Sequence, residues 1–289
     1  MRRFHLLVNP TSGTGGAPAS AVPVARLLRE AGAEVELTYS PGPVACAELA
    51  REISGRGEVV VAVGGDGMVS SVAGAVVEAR GLFGIVPSGR GDDFARMLGI
   101  NDDPEAVATT LLKGEPVEVD VIDAGRRVVL GSVYAGVDSL ASEIVERVRR
   151  LPVSTQYAYA GVRALLSFSP TTYTIEVDGH RYREDAYTVV VANSAYYGGG
   201  MKIAPAASVT DGILDVIVVR AASKVRLLRS MPKLYDGSHV DLDDVLVLKG
   251  RDVLLSSGAP VTAYGDGERL APLPARATVR PHALRILVN

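Results

Sequence analysis

Cysteine is almost absent. The lone Cys46 excludes an intrachain disulfide framework and a cysteine-based zinc cluster, and its place in an apolar helical pattern reads as core packing. Basic charge is not in excess either, since 30 lysines and arginines against 33 aspartates and glutamates leave a formal net charge of -3. Without a basic run interleaved with aromatics, this argues against a nucleic-acid partner. The histidines, His5, His180, His239 and His282, are scattered with no metal-ligand spacing, and no chemistry is assigned to them. No apolar run approaches the length of a bilayer span. Residues 1–8 meet Asn9 and Pro10 too soon for the apolar region of a signal peptide. The expectation is a soluble cytoplasmic enzyme. Internal repeats and low-complexity segments are lacking as well.

What is present is a chain of 289 residues, 47% hydrophobic, long enough for two cores and a cleft between them. Apolar runs at residues 4–8, 34–40, 59–63 and 82–86 alternate with helical patterns at 19–31, 44–54, 69–79 and 104–113. Uninterrupted apolar strands between helices predict a parallel sheet covered on both faces. After residue 113 the texture changes. Residues 117–123 and 127–134 flank Ala124, Gly125 and Arg126 like a hairpin, so the boundary is placed near Gly125, giving domains 1–124 and 125–289. Helices follow at 139–150 and 157–168, then strands at 172–177, 186–193 and 214–220, a helix at 224–235, and short strands at 245–248, 253–256 and 261–264. A last pair lies near Thr278 and at 284–288. Strand-rich sequence with hairpin turns predicts an antiparallel β-sandwich as the second domain.

Three turns in the first half each follow a predicted buried strand. Asn9-Pro10-Thr11-Ser12-Gly13 combines small residues, which let backbone N–H groups approach an anion, with two hydroxyl donors; the same residues also suit a plain strand-to-helix connection. Gly64-Gly65-Asp66-Gly67 is more specific, because three glycines leave bare backbone for a ligand and a helix from Val69 would aim its positive end at phosphate. Asp66 beside a polyphosphate calls for a divalent cation or a proton-handling role; otherwise it caps its own turn. In Pro87-Ser88-Gly89-Arg90-Gly91 followed by Asp92-Asp93-Phe94-Ala95-Arg96, Asp92 or Asp93 suits the first turn of a helix. Arg90 is either a charge-assisted phosphate donor or a solvated loop residue.

In the second half, Gly198-Gly199-Gly200 leads to residues 205–215. There Asp211 suits a hard cation together with backbone carbonyls, or simply an Asp-Gly turn. Tyr264-Gly265-Asp266-Gly267-Glu268 sets two carboxylates on a tight turn, where glutamate is not a favoured residue. Within reach of a substrate hydroxyl, Glu268 would accept its proton as the hydroxyl attacks a terminal phosphate; taken without the other motifs, the stretch reads as a common Asp-Gly turn. The amphipathic stretch 157–168, with Arg163, suits a core-facing or a lipid-facing helix.

Taken in order, these five motifs resemble the bacterial diacylglycerol kinase and sphingosine kinase-like family over nearly the whole chain. The Gly-Gly-Asp-Gly turn alone is shared with NAD kinases and phosphofructokinases; the ordered set is more specific. The resemblance implies an N-terminal α/β nucleotide domain of NAD kinase/diacylglycerol kinase type, a C-terminal antiparallel β-sandwich, and ATP in the cleft, with the γ-phosphate passing to a lipid hydroxyl. Diacylglycerol leads as acceptor, and an NAD kinase-like enzyme and a nucleotide or lipid sensor without catalysis stay open. By position, ATP would contact Asn9, Thr11, Ser12, Gly13, Thr38, Gly64, Gly65, Asp66, Gly67, Met68, Val69 and Ser70, with Ser88, Gly89 and Arg90 from the third turn. Magnesium (Mg2+) would map to Asp211 with the carbonyls of Ser208 and Ile213. The proton acceptor would be Glu268, with Asp266 and Asp66 as further catalytic carboxylates. The implied partners are the lipid substrate and transient peripheral contact with the inner face of the membrane; oligomeric state, a homodimer included, is left open. Relatives usually carry threonine where Met68 and Arg90 stand and asparagine where Asp92 stands.

Overall fold

The computed structural model describes residues 2–10, 17–40, 42–125, 127–148 and 153–289. It divides into two compact units, residues 1–121 with 281–289, and residues 122–280.

The first unit is built on strands β1 Arg3–Val8, β2 Glu34–Tyr39, β3 Val59–Gly64 and β4 Leu82–Pro87. All pair parallel: β2 lies beside β1, β1 beside β3, and β3 beside β4. Side chains alternate across the sheet. Phe4, Leu6, Val8, Val59, Val61 and Val63 thus share one face, packed on α1 Ala17–Glu30 and α5 Pro104–Lys113. Helices α2 Pro43–Gly55 and α3 Asp66–Ala79 pack on each other and on β3 outside that cluster. Helix α1 therefore leaves β1 toward one face, whereas α2 and α3 serve the other. That switch falls between β1 and β3, whose C-terminal ends are the usual ligand position in open α/β sheets.

Two expectations change here. Helix α3 begins at Asp66 rather than Val69, so Asp66, Gly67 and Met68 form its first turn, with Gly65 as N-cap. The last nine residues belong to the first unit rather than to the sandwich. Strand β15, Ala275–Val288, ends beside β4 in parallel register, and Leu287 enters the first unit's core. Composition cannot show this, because the same apolar pattern would serve either sheet.

The second unit is antiparallel throughout. Strands β7 Ser132–Gly136, β8 Thr171–Val177, β9 His180–Ala192, β10 Leu214–Arg220, β11 Val245–Gly250, β12 Asp252–Ser257, β13 Thr262–Gly265 and β14 Glu268–Pro272 are joined through the long β9, which pairs with β7, β8 and β10. The interior of this β-sandwich-like unit gathers Val133, Tyr173, Ile175, Val189, Val191, Val216, Val253 and Leu255. The opposite face of β9 and β10 is covered by Ile203, Ala204 and Ala207 of the preceding long loop. Helices α6 Val137–Arg147 and α7 Val153–Ser167 pack together. The helix expected at 224–235 is two, α8 Lys224–Ser230 and α9 Lys233–Asp236, because Pro232 has no N–H to continue the ladder. The strand expected at 127–134 is also two, β6 Val128–Val129 and β7. The amides between them are taken by a side chain, that of Asp266.

The turns after β3 and β4 meet backbone to backbone. A Cβ built on Gly89 would stand 2.4 Å from Gly65 Cα, and one on Gly65 would stand 2.9 Å from Gly89 Cα. Asp92, in the left-handed region at φ 50, closes the second turn, its two carboxylate oxygens accepting the Gly89 N–H at 2.9 and 3.1 Å. Desolvation raises the Asp92 carboxyl to about 6.

Gly89→Ala is expected to cost roughly 1–3 kcal/mol by overpacking, read as a lower melting temperature. Gly55→Ala, whose Cβ meets nothing within 4 Å at the end of α2, leaves it unchanged or slightly higher. The unfolded chain holds an aspartate near pKa ~3.9, so folding favours protonated Asp92. That stability is complete below about pH 4 and is lost as pH rises through about 6. Asp92→Asn is therefore more stable than the parent chain at pH 7, and the gap closes toward pH 4 in urea titrations at the two pH values.

Candidate active site

In the first unit, backbone bonds carry the strand register into the turns. Asn9 N–H donates to the Val63 carbonyl at 3.1 Å, Ser40 N–H to Val8 at 2.8 Å, and Ser88 N–H to Gly64 at 3.1 Å. Asn9, Thr38, Gly64 and Ser88 thus lie along one edge of the sheet, at the C-terminal ends of four neighbouring parallel strands. The N-terminus of α3 opens there without a side-chain cap, and first-turn N–H groups of a helix point outward along its axis, an arrangement that receives an anion.

The individual side chains refine the expected contacts. Asp66 Oδ1 accepts the Phe94 N–H at 3.3 Å, a bond that holds the start of α4, Asp93–Met97. Val69 is buried and its N–H donates to the Gly65 carbonyl at 3.1 Å; the helix consumes that amide, and Val69 contributes packing rather than an anion contact. Ser70 is buried on the same helix. Met68 turns its sulfur to Cys46, Sγ to Sδ 3.9 Å, filling space between α2 and α3. Ser88 Oγ accepts from the Ser20 hydroxyl on α1 at 3.2 Å. Gly67 sits in the first turn of α3, and Arg90 is half-buried next to Gly89. Thr11, Ser12 and Gly13 lie outside the described residues.

Two buried carboxylates of the first unit were not among the expected site residues. Asp93 opens α4, and Asp120, fully buried among Val119, Val121 and Ile122, accepts the His282 N–H at 2.8 Å. The sequence signal for Asp120 was weak, because its strand, β5 Glu115–Asp123, also carries Glu115, Glu118 and Asp123.

In the second unit, Asp266 and Gly267, at φ 47 and 82, form the two-residue turn between β13 and β14, the conformation that Asp-Gly hairpins favour. The Asp266 carboxylate accepts the N–H groups of Leu130, Gly131 and Ser132 at 2.8, 2.9 and 3.1 Å, and its own N–H donates to the Ser132 carbonyl. It is a clamp between two segments more than 130 residues apart in sequence. Glu268 does not sit on the turn. It is the first residue of β14, 56% exposed, with Oε2 4.0 Å from Arg127. With Glu143, Arg147, Tyr264 and Arg269 it lines a polar pocket of about 360 Å³. Tyr264 donates to Glu143 at 3.2 Å and stacks on Tyr134, ring centroids 6.2 Å apart. Asp138 accepts from the Thr188 hydroxyl at 2.8 Å, and desolvation raises its carboxyl to about 6.

Ser208, Asp211 and Ile213 lie on the loop before β10. Asp211 Oδ1 accepts the Ile213 N–H at 3.0 Å, and the Ser208 and Thr210 hydroxyls meet at 3.2 Å. Among the described residues no group of three or more acidic, histidine or cysteine side chains forms a metal cluster. A cation here would therefore rest on one carboxylate and backbone carbonyls, an all-oxygen set that fits a hard ion such as magnesium. Asp215, buried behind it, pairs with Lys249 at 3.3 Å.

Residues 3–124 match the diacylglycerol kinase catalytic domain, and residues 131–288 match the YegS C-terminal NAD kinase beta sandwich-like domain. The chain is 31% identical over 289 residues to the diacylglycerol kinase of Mycobacterium tuberculosis (strain ATCC 25618 / H37Rv), covering 97% of this chain and 93% of that one. It is 25% identical over 279 residues to the diacylglycerol kinase of Bacillus subtilis (strain 168), covering 95% and 92%. The fold matches a crystal structure of a diacylglycerol kinase from Bacillus anthracis str. Sterne at TM-score 0.78 and 20% identity over 100% of this chain and 97% of that one. A second structure from that organism matches at TM-score 0.84 and 22% identity, over 100% and 98%. No helix among the described residues is long and apolar enough to cross a membrane. The chain belongs to the diacylglycerol kinase family and is a lipid kinase, passing phosphate from ATP to an alcohol hydroxyl.

Proposed function

We propose that the acceptor is diacylglycerol and the product phosphatidic acid, with Glu268 taking the proton of the attacking hydroxyl. The observation that carries the reading is the way Glu268 is presented: an accessible carboxylate in a polar pocket, on a strand whose turn is pinned by three hydrogen bonds from backbone N–H groups to Asp266. Phosphoryl transfer needs positioning and charge neutralisation more than covalent chemistry from the protein. Asn9, the α3 first turn from Gly65 to Met68, Ser88 and Arg90 hold the triphosphate. The acceptor oxygen bonds to the γ-phosphorus, the bond to the β,γ-bridging oxygen breaks, ADP leaves, and Glu268 keeps the proton. Asp266 positions Glu268 through the turn, and Asp66 ties α3 to α4 around the phosphate site. Magnesium, held by Asp211 with the Ser208 and Ile213 carbonyls or beside Asp66, would supply positive charge.

We further propose that the lipid is met at an anionic bilayer surface on the ATP-containing side of the membrane. On α7, Tyr159, Val162 and Leu166 are exposed at 43, 36 and 56%, with Arg163 among them at helical spacing. Helix α8, packed against α7, adds exposed Val225 and the basic Lys224, Arg226 and Arg229. Neither helix contains an acidic residue. An apolar stripe with basic neighbours suits the headgroup boundary of an anionic membrane.

Incubation with ATP, magnesium and diacylglycerol vesicles should yield phosphatidic acid by mass, with no phosphorylation of added NAD. Phosphorylation of a different component of a total lipid extract would overturn the acceptor, and no transfer at all would leave the non-catalytic sensor. Glu268→Gln should lose turnover by about 10²–10⁴-fold while binding ATP as before; full activity would end the assigned role. Leu166→Glu should reduce co-sedimentation with phosphatidylglycerol vesicles by roughly tenfold, the worth of one buried leucine. Unchanged co-sedimentation would remove α7 from the membrane face.

A further inference from the structure

His5 stands on β1 among phenylalanine, leucine and valine, and it is 5% exposed. Burying a polar ring costs free energy unless its nitrogens are satisfied, so its partners are informative. Nε2 lies 2.8 Å from Thr38 Oγ1 on the neighbouring β2. On the other side Nδ1 makes no hydrogen bond, and it faces two carboxylates, Glu36 Oε2 at 3.3 Å and Glu58 Oε2 at 3.7 Å. Glu58 is itself held by Arg56 at 2.9 Å, which keeps its carboxyl below the usual range. Burial likewise pushes His5 below its ordinary value, so near neutral pH the ring carries one proton.

Two carboxylates around Nδ1 favour the proton there, which leaves Nε2 as an acceptor. The Thr38 hydroxyl then donates its only proton to Nε2 and turns its oxygen lone pairs outward. A hydroxyl in that state cannot donate to a phosphate oxygen; it can only accept. Thr38 is the last residue but one of β2, at the ligand edge of the sheet. It stands two strands away from β3, whose end carries the anion-receiving helix, a separation of roughly 10 Å at the usual strand spacing. That is the reach of a triphosphate, and it brings the nucleoside to β2.

We infer that His5 is a positioning residue that fixes Thr38 as a hydrogen-bond acceptor, and that Thr38 reads a donor on the nucleoside of ATP, either the 6-amino group of the base or a ribose hydroxyl. This rests on ATP binding at the first unit's sheet edge, as proposed above.

The test compares the full-length wild type with His5→Phe, His5→Gln, Thr38→Val and the His5→Phe/Thr38→Val pair. Each is measured by steady-state kinetics and by calorimetric ATP binding. His5→Phe should raise KM for ATP about 2- to 10-fold, the worth of one hydrogen bond, with kcat unchanged. His5→Gln, whose amide oxygen can take the Thr38 proton, should recover most of the loss, and the pair should be no worse than Thr38→Val alone. In the wild type, either purine riboside triphosphate or 2′- or 3′-deoxy-ATP should bind more weakly than ATP, which identifies the donor; in His5→Phe that preference should shrink. Normal KM and unchanged analogue preference in His5→Phe and Thr38→Val would overturn the inference, as would additive losses in the pair, with ATP binding intact. A wild type that binds no ATP would overturn both this inference and the nucleotide site.

Discussion

The close approach of two bare turns is the constraint on which the first unit's site depends. Gly65 and Gly89 touch through their α-carbons, with no space for a side chain on either. That contact sets the end of β3 against the end of β4, and so determines where α3 starts. The helix N-terminus, the Asn9 segment and Ser88 then line one edge because the strands that carry them are parallel and hydrogen-bonded in register. A larger residue at either glycine would move the peptide units that this fold offers to an anion.

Carboxylates do much of the fastening around these sites. Asp92 closes the turn after β4, Asp66 holds the start of α4, Asp266 gathers three amides ahead of β7, and Asp178 takes the N–H groups of Arg251 and Asp252. Each satisfies backbone donors where a regular ladder is interrupted. The consequence for function is a division of labour: Asp266 is occupied in holding a turn, while Glu268, two residues on, stays exposed. With the role proposed for Glu268, chemistry and architecture would be separated within one Asp-Gly-Glu stretch.

Much of the fold was legible because it is written locally. The apolar runs at 59–63 and 82–86 match β3 and β4 within a residue, and the helix expected at 104–113 is α5, begun by the Asp103 cap and Pro104. The glycine turns stood out for the same reason, since bare backbone between a strand and a helix has few other uses. The misplaced features share a non-local cause. The split of residues 127–134 depends on Asp266, far along the chain, and the assignment of residues 281–289 depends on which sheet edge they meet. Val69 looked like part of a phosphate-binding turn until α3 proved to begin three residues earlier and to consume its amide.

By itself the sequence determined the two-part organisation, the parallel and antiparallel character of the halves, and the residue types from which a phosphate-transfer site is made, because hydrophobic period and turn chemistry act over a few neighbouring residues. Only the tertiary structure decided which acids are clamps and which are exposed, and that a buried imidazole on β1 faces a hydroxyl on β2. Those facts rest on distances between residues remote in the chain, and burial and hydrogen-bond partnership exist only once such residues have met.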